Sequence, residues 1–176
     1  KGLIITKNIC VVGAGYWGNN HIRTLNKLGF LGGVVEKNKN LKLALENNYP
    51  NVKLFSSIDA ALDDPAFLGY TVATPSETHY SVAKKILNAK RHVLVEKPLA
   101  LNLEDAKELI DLAENKGVNL MVGHVLLFHP AIIKIKKLID SGEIGELQYI
   151  YSNRLNLGQI RSEENVFWSL APHDIA

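Results

Sequence analysis

Four residue groups in this chain have the types and spacing to do chemistry. Gly13-Ala14-Gly15-Tyr16-Trp17-Gly18 follows the apolar run Ile9-Cys10-Val11-Val12. A glycine turn between a strand and a helix brings backbone close to a pyrophosphate and sets that anion on the helix N-terminus. In this pattern Gly13 supplies the tight turn, Gly15 the close approach and Gly18 the helix-to-strand contact. Glu36 ends the next apolar stretch, Leu31 to Val35, at 18 residues beyond Gly18. A carboxylate at about that spacing accepts from both hydroxyls of an adenosine ribose and repels a 2′-phosphate, which favours NAD over NADP. Lys37 and Lys39 beside it offset part of that repulsion, and a solvated strand end is the competing reading of Glu36.

Glu96-Lys97-Pro98 closes the run Val93-Leu94-Val95. A lysine at a strand's carboxyl end can stabilise a developing alkoxide and pass a proton; the plainer reading is an exposed lysine paired with Glu96. His173, in Ala171-Pro172-His173-Asp174, can take a proton near neutral pH, although a single histidine also fits a structural role. The one cysteine, Cys10, lies inside the first strand pattern, so it reads as a small buried hydrophobe and no internal disulfide can form. No cluster of ligand residues has metal spacing, and no metal is expected.

These residues need elements to hold them, and the pattern supplies an alternation. A helical stripe of Trp17, Ile22, Leu25 and Leu28 stops at Gly29. A helix over Leu41 to Asn48, a short strand over Val52 to Phe55 and a helix after Ser57 follow. Gly69 to Ala73 reads as a buried strand, with Ser76 as the cap of a helix running to about Ala89. His92 to Val95, a helix opened by Asn102 and closed by Gly117, and Val118 to Val122 complete the series. Strands separated by helices predict an α/β fold with a doubly wound parallel sheet, the Rossmann arrangement. Ligands then bind beyond the carboxyl ends of the strands, where Gly13 to Gly18, Glu36, Thr74-Pro75, Glu96-Lys97-Pro98 and Gly123-His124 fall.

The pattern changes after Pro130. A helix over Ala131 to Ile139 and a strand over Leu147 to Leu155 suggest a new sheet beginning near Gly145. The division expected is a dinucleotide-binding domain over residues 1–123 and, over 124–176, a linking helix with the first part of an incomplete α+β substrate or oligomerisation domain.

Composition narrows the partners. The chain has 176 residues and is 47% hydrophobic, enough for a sizeable core. Twenty basic and eighteen acidic residues give a net charge of +2 with the two signs mixed, so nucleic acid is not an expected partner. No run reaches the roughly 18 apolar residues of a membrane span, and a cytoplasmic protein is expected.

Gly13 to Gly18, Ala73-Thr74-Pro75 with Thr78-His79, Glu96-Lys97-Pro98 and Pro172-His173-Asp174 together resemble the Gfo/Idh/MocA family of NAD(P)-dependent sugar oxidoreductases. The resemblance implies catalysis by Lys97 and His173, a cis Lys97-Pro98 bond and cofactor contacts from Gly13, Gly15, Tyr16, Trp17, Gly18, Glu36, Thr74, Pro75, His79, Glu96 and Lys97. It implies homo-oligomers and a substrate domain continuing past Ala176. Ser169 stands where the family usually has an aspartate. His124 to Pro130 and Asn153-Arg154-Leu155-Asn156 are similar to the branch acting on nucleotide-linked sugars in surface-polysaccharide synthesis. That likeness implies hydride transfer at a sugar hydroxyl, with substrate contacts from Lys97, Arg154, Asn156, Arg161 and His173. The competing functional readings are an NAD-binding module without turnover, and an inactive fragment of a longer dehydrogenase.

Overall fold

A computed structural model describes residues 7–153 and 171–175. It divides into two units, residues 1–122 and 123–176. In the first, six strands form one sheet: β1 (Ile9–Val12), β2 (Leu31–Val35), β3 (Lys53–Phe55), β4 (Gly69–Val72), β5 (His92–Val95) and β6 (Leu120–Val122). Every pairing is parallel and the spatial order is β3-β2-β1-β4-β5-β6. The direction in which successive strands are added reverses between β1 and β4, the point at which a doubly wound sheet opens a crevice for a ligand.

Five helices make the crossovers: α1 (Tyr16–Leu28), α2 (Lys39–Asn48), α3 (Ile58–Leu62), α4 (His79–Asn88) and α5 (Leu103–Lys116). Alternation along the strands divides the core. Val11 and Val34 pack with Ile22 of α1 and Leu45 of α2 on one face. Cys10, Val12, Val35, Val72, Val93 and Val95 face Ala61, Ala83, Ile86, Leu87 and Leu109 of α3, α4 and α5 on the other. Strands buried on both faces read as unbroken apolar runs, which is the pattern of β1 and β5. Beside α1 the first face leaves a groove of about 320 Å³ over β4, β5 and β6, lined by His21, Leu25, Thr71, Leu94 and Met121 among others.

Local signals set the helix ends. Asn38 accepts from Asn40 and Leu41 N–H at the start of α2, Ser57 from Ala60 N–H at α3, and Asn102 from Asp105 N–H at α5. Gly29 and Gly117, with φ of 80° and 65°, close α1 and α5 in the left-handed conformation. Ser76 departs from the expected pattern. It opens a single 3₁₀ turn, Ser76–Thr78, in which Thr78 N–H bonds to the Pro75 carbonyl, and α4 begins only at His79.

The second unit contains a 3₁₀ turn over Val125–Phe128, α6 (Pro130–Asp140) and a short helix over Pro172–Ile175. His129 caps α6, its Nδ1 accepting from Ala131 N–H at 3.2 Å, and Pro130 takes the first position, where no N–H is needed. The strand expected over Leu147 to Leu155 is not formed at 147–153, which carry no regular structure. Alternating apolar residues make a strand only where a neighbouring strand pairs their N–H and C=O groups, and 147–153 have no such neighbour among the described residues. Residues 154 and 155 lie outside the described residues.

Candidate functional site at the switch point

The glycine turn is built by close contacts. Gly13 has a φ of 92°, and a Cβ on it would lie 2.8 Å from the Ala73 carbonyl oxygen, so the loop after β1 presses on the loop after β4. A Cβ on Gly18 would lie 2.0 Å from the Gly13 carbonyl oxygen. No side chain fits there, and this third glycine lets α1 fold back onto its own strand. Gly15 differs: a Cβ there would meet nothing within 4 Å. The structure around Gly15 is satisfied without any requirement for glycine, and the open space lies at the N-terminus of a 13-residue helix.

That N-terminus has no cap. Gly15 is its N-cap, no side chain bonds to the first turn, and the first turn carries no acid. The first N–H groups of a helix have no intrahelical acceptor, so α1 presents donors and a positive dipole end to the crevice. An open cradle over Gly15, at a helix N-terminus whose first turn carries no acid, fits a pyrophosphate. Tyr16 and Trp17 stand beside it, 83% and 43% exposed, their rings edge to face at 5.8 Å.

Glu36 follows β2 on the same rim. Its Oε2 accepts from Ala14 N–H at 2.8 Å and its Oε1 from Asn38 N–H at 2.8 Å. The carboxylate therefore links the glycine turn to the start of α2. Each oxygen keeps acceptor capacity beyond the one bond it makes, which leaves room for ribose hydroxyls.

Two further loops complete the rim. After β4, Thr74 and Pro75 lead into α4, and the Thr78 hydroxyl lies 2.7 Å from both Thr74 Oγ1 and the Pro75 carbonyl. After β5 come Glu96, half-buried Lys97 and Pro98, joined by a cis Lys97-Pro98 peptide. His79, 2% exposed, lies between these loops: its Nδ1 is 2.7 Å from the Pro98 carbonyl and its Nε2 is 2.8 Å from the Thr74 carbonyl. Glu96 is buried and lies 2.6 Å from His21 Nε2 on α1. Burial pushes the Glu96 carboxyl up, but the His21 contact and charge, the Lys97 N–H and the Lys97 charge together hold it below its ordinary range.

Gly13, Gly15, Tyr16, Trp17, Gly18, Glu36, Thr74, Pro75, His79, Glu96 and Lys97 thus all stand on the carboxyl-end rim of one sheet. Residues Gly123 and His124 belong to the second unit. His173 falls within the helix Pro172–Ile175, its side chain outside the described ones; Arg154, Asn156, Arg161 and Ser169 lie outside the described residues. Cys10 is fully buried, and burial, with a smaller contribution from the Asp64 charge, pushes its thiol up to about 12. That removes it from nucleophilic chemistry. Sequence reading missed the His21–Glu96 pair, whose members are 75 positions apart. Among the described residues no group of three or more His, Cys, Asp or Glu side chains is arranged to hold a metal, and no helix is long and apolar enough to cross a membrane.

Known proteins are similar to this chain in sequence and fold. The chain is 30% identical over 168 residues to a UDP-N-acetylglucosamine 3-dehydrogenase of Acidithiobacillus ferrooxidans, covering 94% of this chain and 51% of that protein. It is 31% identical over 163 residues to a 2,7-anhydro-N-acetylneuraminate hydratase of Escherichia coli, covering 92% of this chain and 42% of the relative. The chain thus spans about half the length of the curated relatives it matches. Among solved structures, GenD2 from gentamicin A biosynthesis in complex with NAD superposes with a TM-score of 0.75 at 29% identity, over 81% of this chain and 41% of that one. Residues 7–124 match the pattern of the oxidoreductase family with an NAD-binding Rossmann fold, and the chain belongs to that family, Gfo/Idh/MocA.

Proposed function

We propose that this chain is the cofactor-binding part of an NAD-dependent oxidoreductase that interconverts a hydroxyl and a ketone on a sugar or nucleotide-linked sugar, in surface-polysaccharide sugar synthesis. The observation that carries the reading is the uncapped N-terminus of α1 under the open space at Gly15, with Glu36 on the same rim. Gly15 and the first turn of α1 hold the pyrophosphate; Glu36 takes the adenosine ribose and disfavours a 2′-phosphate. Tyr16, Trp17, Thr74, Pro75 and Glu96 border the cofactor. NAD bound there supplies the two-electron acceptor for a hydride.

The chain's own groups handle charge and proton. Lys97 places a cation against the substrate oxygen and stabilises negative charge as C–OH becomes C=O. His173 takes the hydroxyl proton, and returns it when the reaction runs toward the alcohol. Arg154, Asn156 and Arg161 bind the sugar, the arginines offering paired N–H donors to a carboxylate or pyrophosphate. Residues 124–176 are the beginning of the domain that completes the sugar pocket and the contacts of a homo-oligomer. The relatives that act on N-acetylated sugars support this substrate class.

The test is a parallel titration with NADH and NADPH followed by nicotinamide fluorescence, then turnover of UDP-linked sugars in the same buffer. Saturable binding that favours NADH, with ketone formed from a UDP-sugar, is the expected result. Binding without turnover of any sugar overturns the catalytic reading, and absence of binding overturns the cofactor site.

A further inference from the structure

Lys97 sits in a turn that two imidazoles hold from two other elements. From α1, His21 Nε2 reaches Glu96 Oε1 at 2.6 Å. From the start of α4, His79 reaches the Pro98 carbonyl at 2.7 Å and the Thr74 carbonyl at 2.8 Å. Glu96 and Pro98 flank Lys97, and neither histidine sits on the turn itself. We propose that His21 and His79 are positioning residues that fix Lys97: His21 through the Glu96 carboxylate, and His79 by tying the Pro98 turn to the Thr74-Pro75 loop.

Donor and acceptor chemistry gives the two contacts different characters. A carbonyl oxygen can only accept, so His79 donates from at least one ring nitrogen, and the two edges of one rigid ring lie against the two carbonyls. His21 needs only one donor, at Nε2, to hold Glu96. Its surroundings are also more open, since it lines the groove beside α1 and is 22% exposed, against 10% for Glu96. The Glu96 carboxylate in turn accepts the Lys97 backbone N–H, so the His21 contact reaches the main chain of the lysine itself. The same α1 helix presents the pyrophosphate donors at its N-terminus, so one rigid element relates the cofactor phosphates to the lysine.

The positioning role rests on the catalytic assignment of Lys97, but its geometry is read independently of turnover. The experiment is hydrogen exchange resolved to peptides in the whole chain, for the parent protein and for H21A, H21Q, H79A and H79Q. A hydrogen bond to a charged group is worth enough that H21A should speed exchange in residues 95–99 by about tenfold, with core strand β1 changed by less than about twofold. H21Q restores the single donor and should stay within about threefold of the parent. Neither H79A nor H79Q keeps a ring that spans the two carbonyls, so both should loosen 73–76 and 97–100.

Where turnover is measurable, H21A should lower kcat by about tenfold with KM for NAD within about twofold, the split expected of a group that orients Lys97. Exchange unchanged at 95–99 in H21A, exchange unchanged at 73–76 and 97–100 in H79A, exchange raised uniformly along the chain, or H21Q as loose as H21A would each overturn the proposal. A parent protein that turns over no sugar overturns the proposed function alone, because exchange still decides the geometry.

Discussion

Gly15 separates what the fold requires from what a ligand requires. Its backbone is extended, with φ of −65° and ψ of −166°, and a Cβ would touch nothing within 4 Å. Gly15→Ala should therefore leave the fold intact. Restricting the unfolded chain contributes about 0.4–1 kcal/mol, and alanine's poorer fit at an N-cap offsets a similar amount, so stability should stay within about 1 kcal/mol of the parent. In a protein of this size that holds Tm within a few degrees, at about 2–4 °C per kcal/mol. The same methyl occupies the space over the first turn of α1 into which the phosphates must come. Displacing them lengthens at least one charge-assisted bond worth about 1.5–3 kcal/mol, so NADH affinity should fall by about ten- to 150-fold. Gly18→Ala is the contrasting change. Its Cβ would lie 2.0 Å from the Gly13 carbonyl oxygen, and overpacking against backbone should cost about 1–3 kcal/mol or more whether or not cofactor is present. Thermal unfolding of both variants with and without NADH, alongside fluorescence titration, separates the effects. A folded Gly15→Ala protein that binds NADH as tightly as the parent would refute the placement of the pyrophosphate.

Other perturbations read other parts of the rim. Glu36→Ala should weaken NADH by about tenfold or more and narrow the preference for NADH over NADPH, through the lost ribose contact; an unchanged ratio of the two affinities would remove Glu36 from the ribose. Lys97→Ala should depress turnover by about a hundredfold or more while NADH affinity moves far less, and near-normal kcat would take Lys97 out of the chemistry. Cys10, with its thiol pushed up to about 12, should resist thiol reagents at mildly alkaline pH in the folded protein and react at once in denaturant; rapid labelling of native protein would contradict its burial. The Glu96 carboxyl is held below its ordinary value of 4.5, so its ionised form stabilises the fold above that pH, and the contribution is lost as pH falls through the folded value. Denaturant midpoints of the parent and Glu96→Gln should therefore converge as pH drops below about 4.5; a constant difference would mean that the carboxylate adds no pH-dependent stability.

What could be read ahead of the structure was local. The strands, the glycine turn and the asparagine cap of α5 are properties of a few neighbouring residues, and each places its own element. Glu36 was legible because its spacing from Gly18 measures one crossover. Three features depended on tertiary neighbours. Gly32 and Gly33 lie inside β2, where a Cβ on Gly32 would lie 2.1 Å from the Lys7 carbonyl oxygen and one on Gly33 2.6 Å from the Phe67 ring. The His21–Glu96 contact joins α1 to the end of β5 across 75 positions, which no periodicity announces. Alternation over residues 147–155 suggested a strand, but alternation describes a face and not a partner, and 147–153 have no partner strand among the described residues.

The bond from Ala14 N–H to Glu36 has a consequence for redesigning cofactor preference. The usual route to accept a 2′-phosphate is to delete the acid and add a cation. Here deletion would also release a backbone donor of the glycine turn, so a variant with improved discrimination would hold both cofactors more loosely. A successful exchange would keep a short neutral acceptor at position 36, such as serine or asparagine, and bring the new positive charge from Lys37 or a neighbour. With the ribose placed as proposed, selectivity and loop order rest on one side chain, and evolution toward the other cofactor would have to move through two coordinated changes.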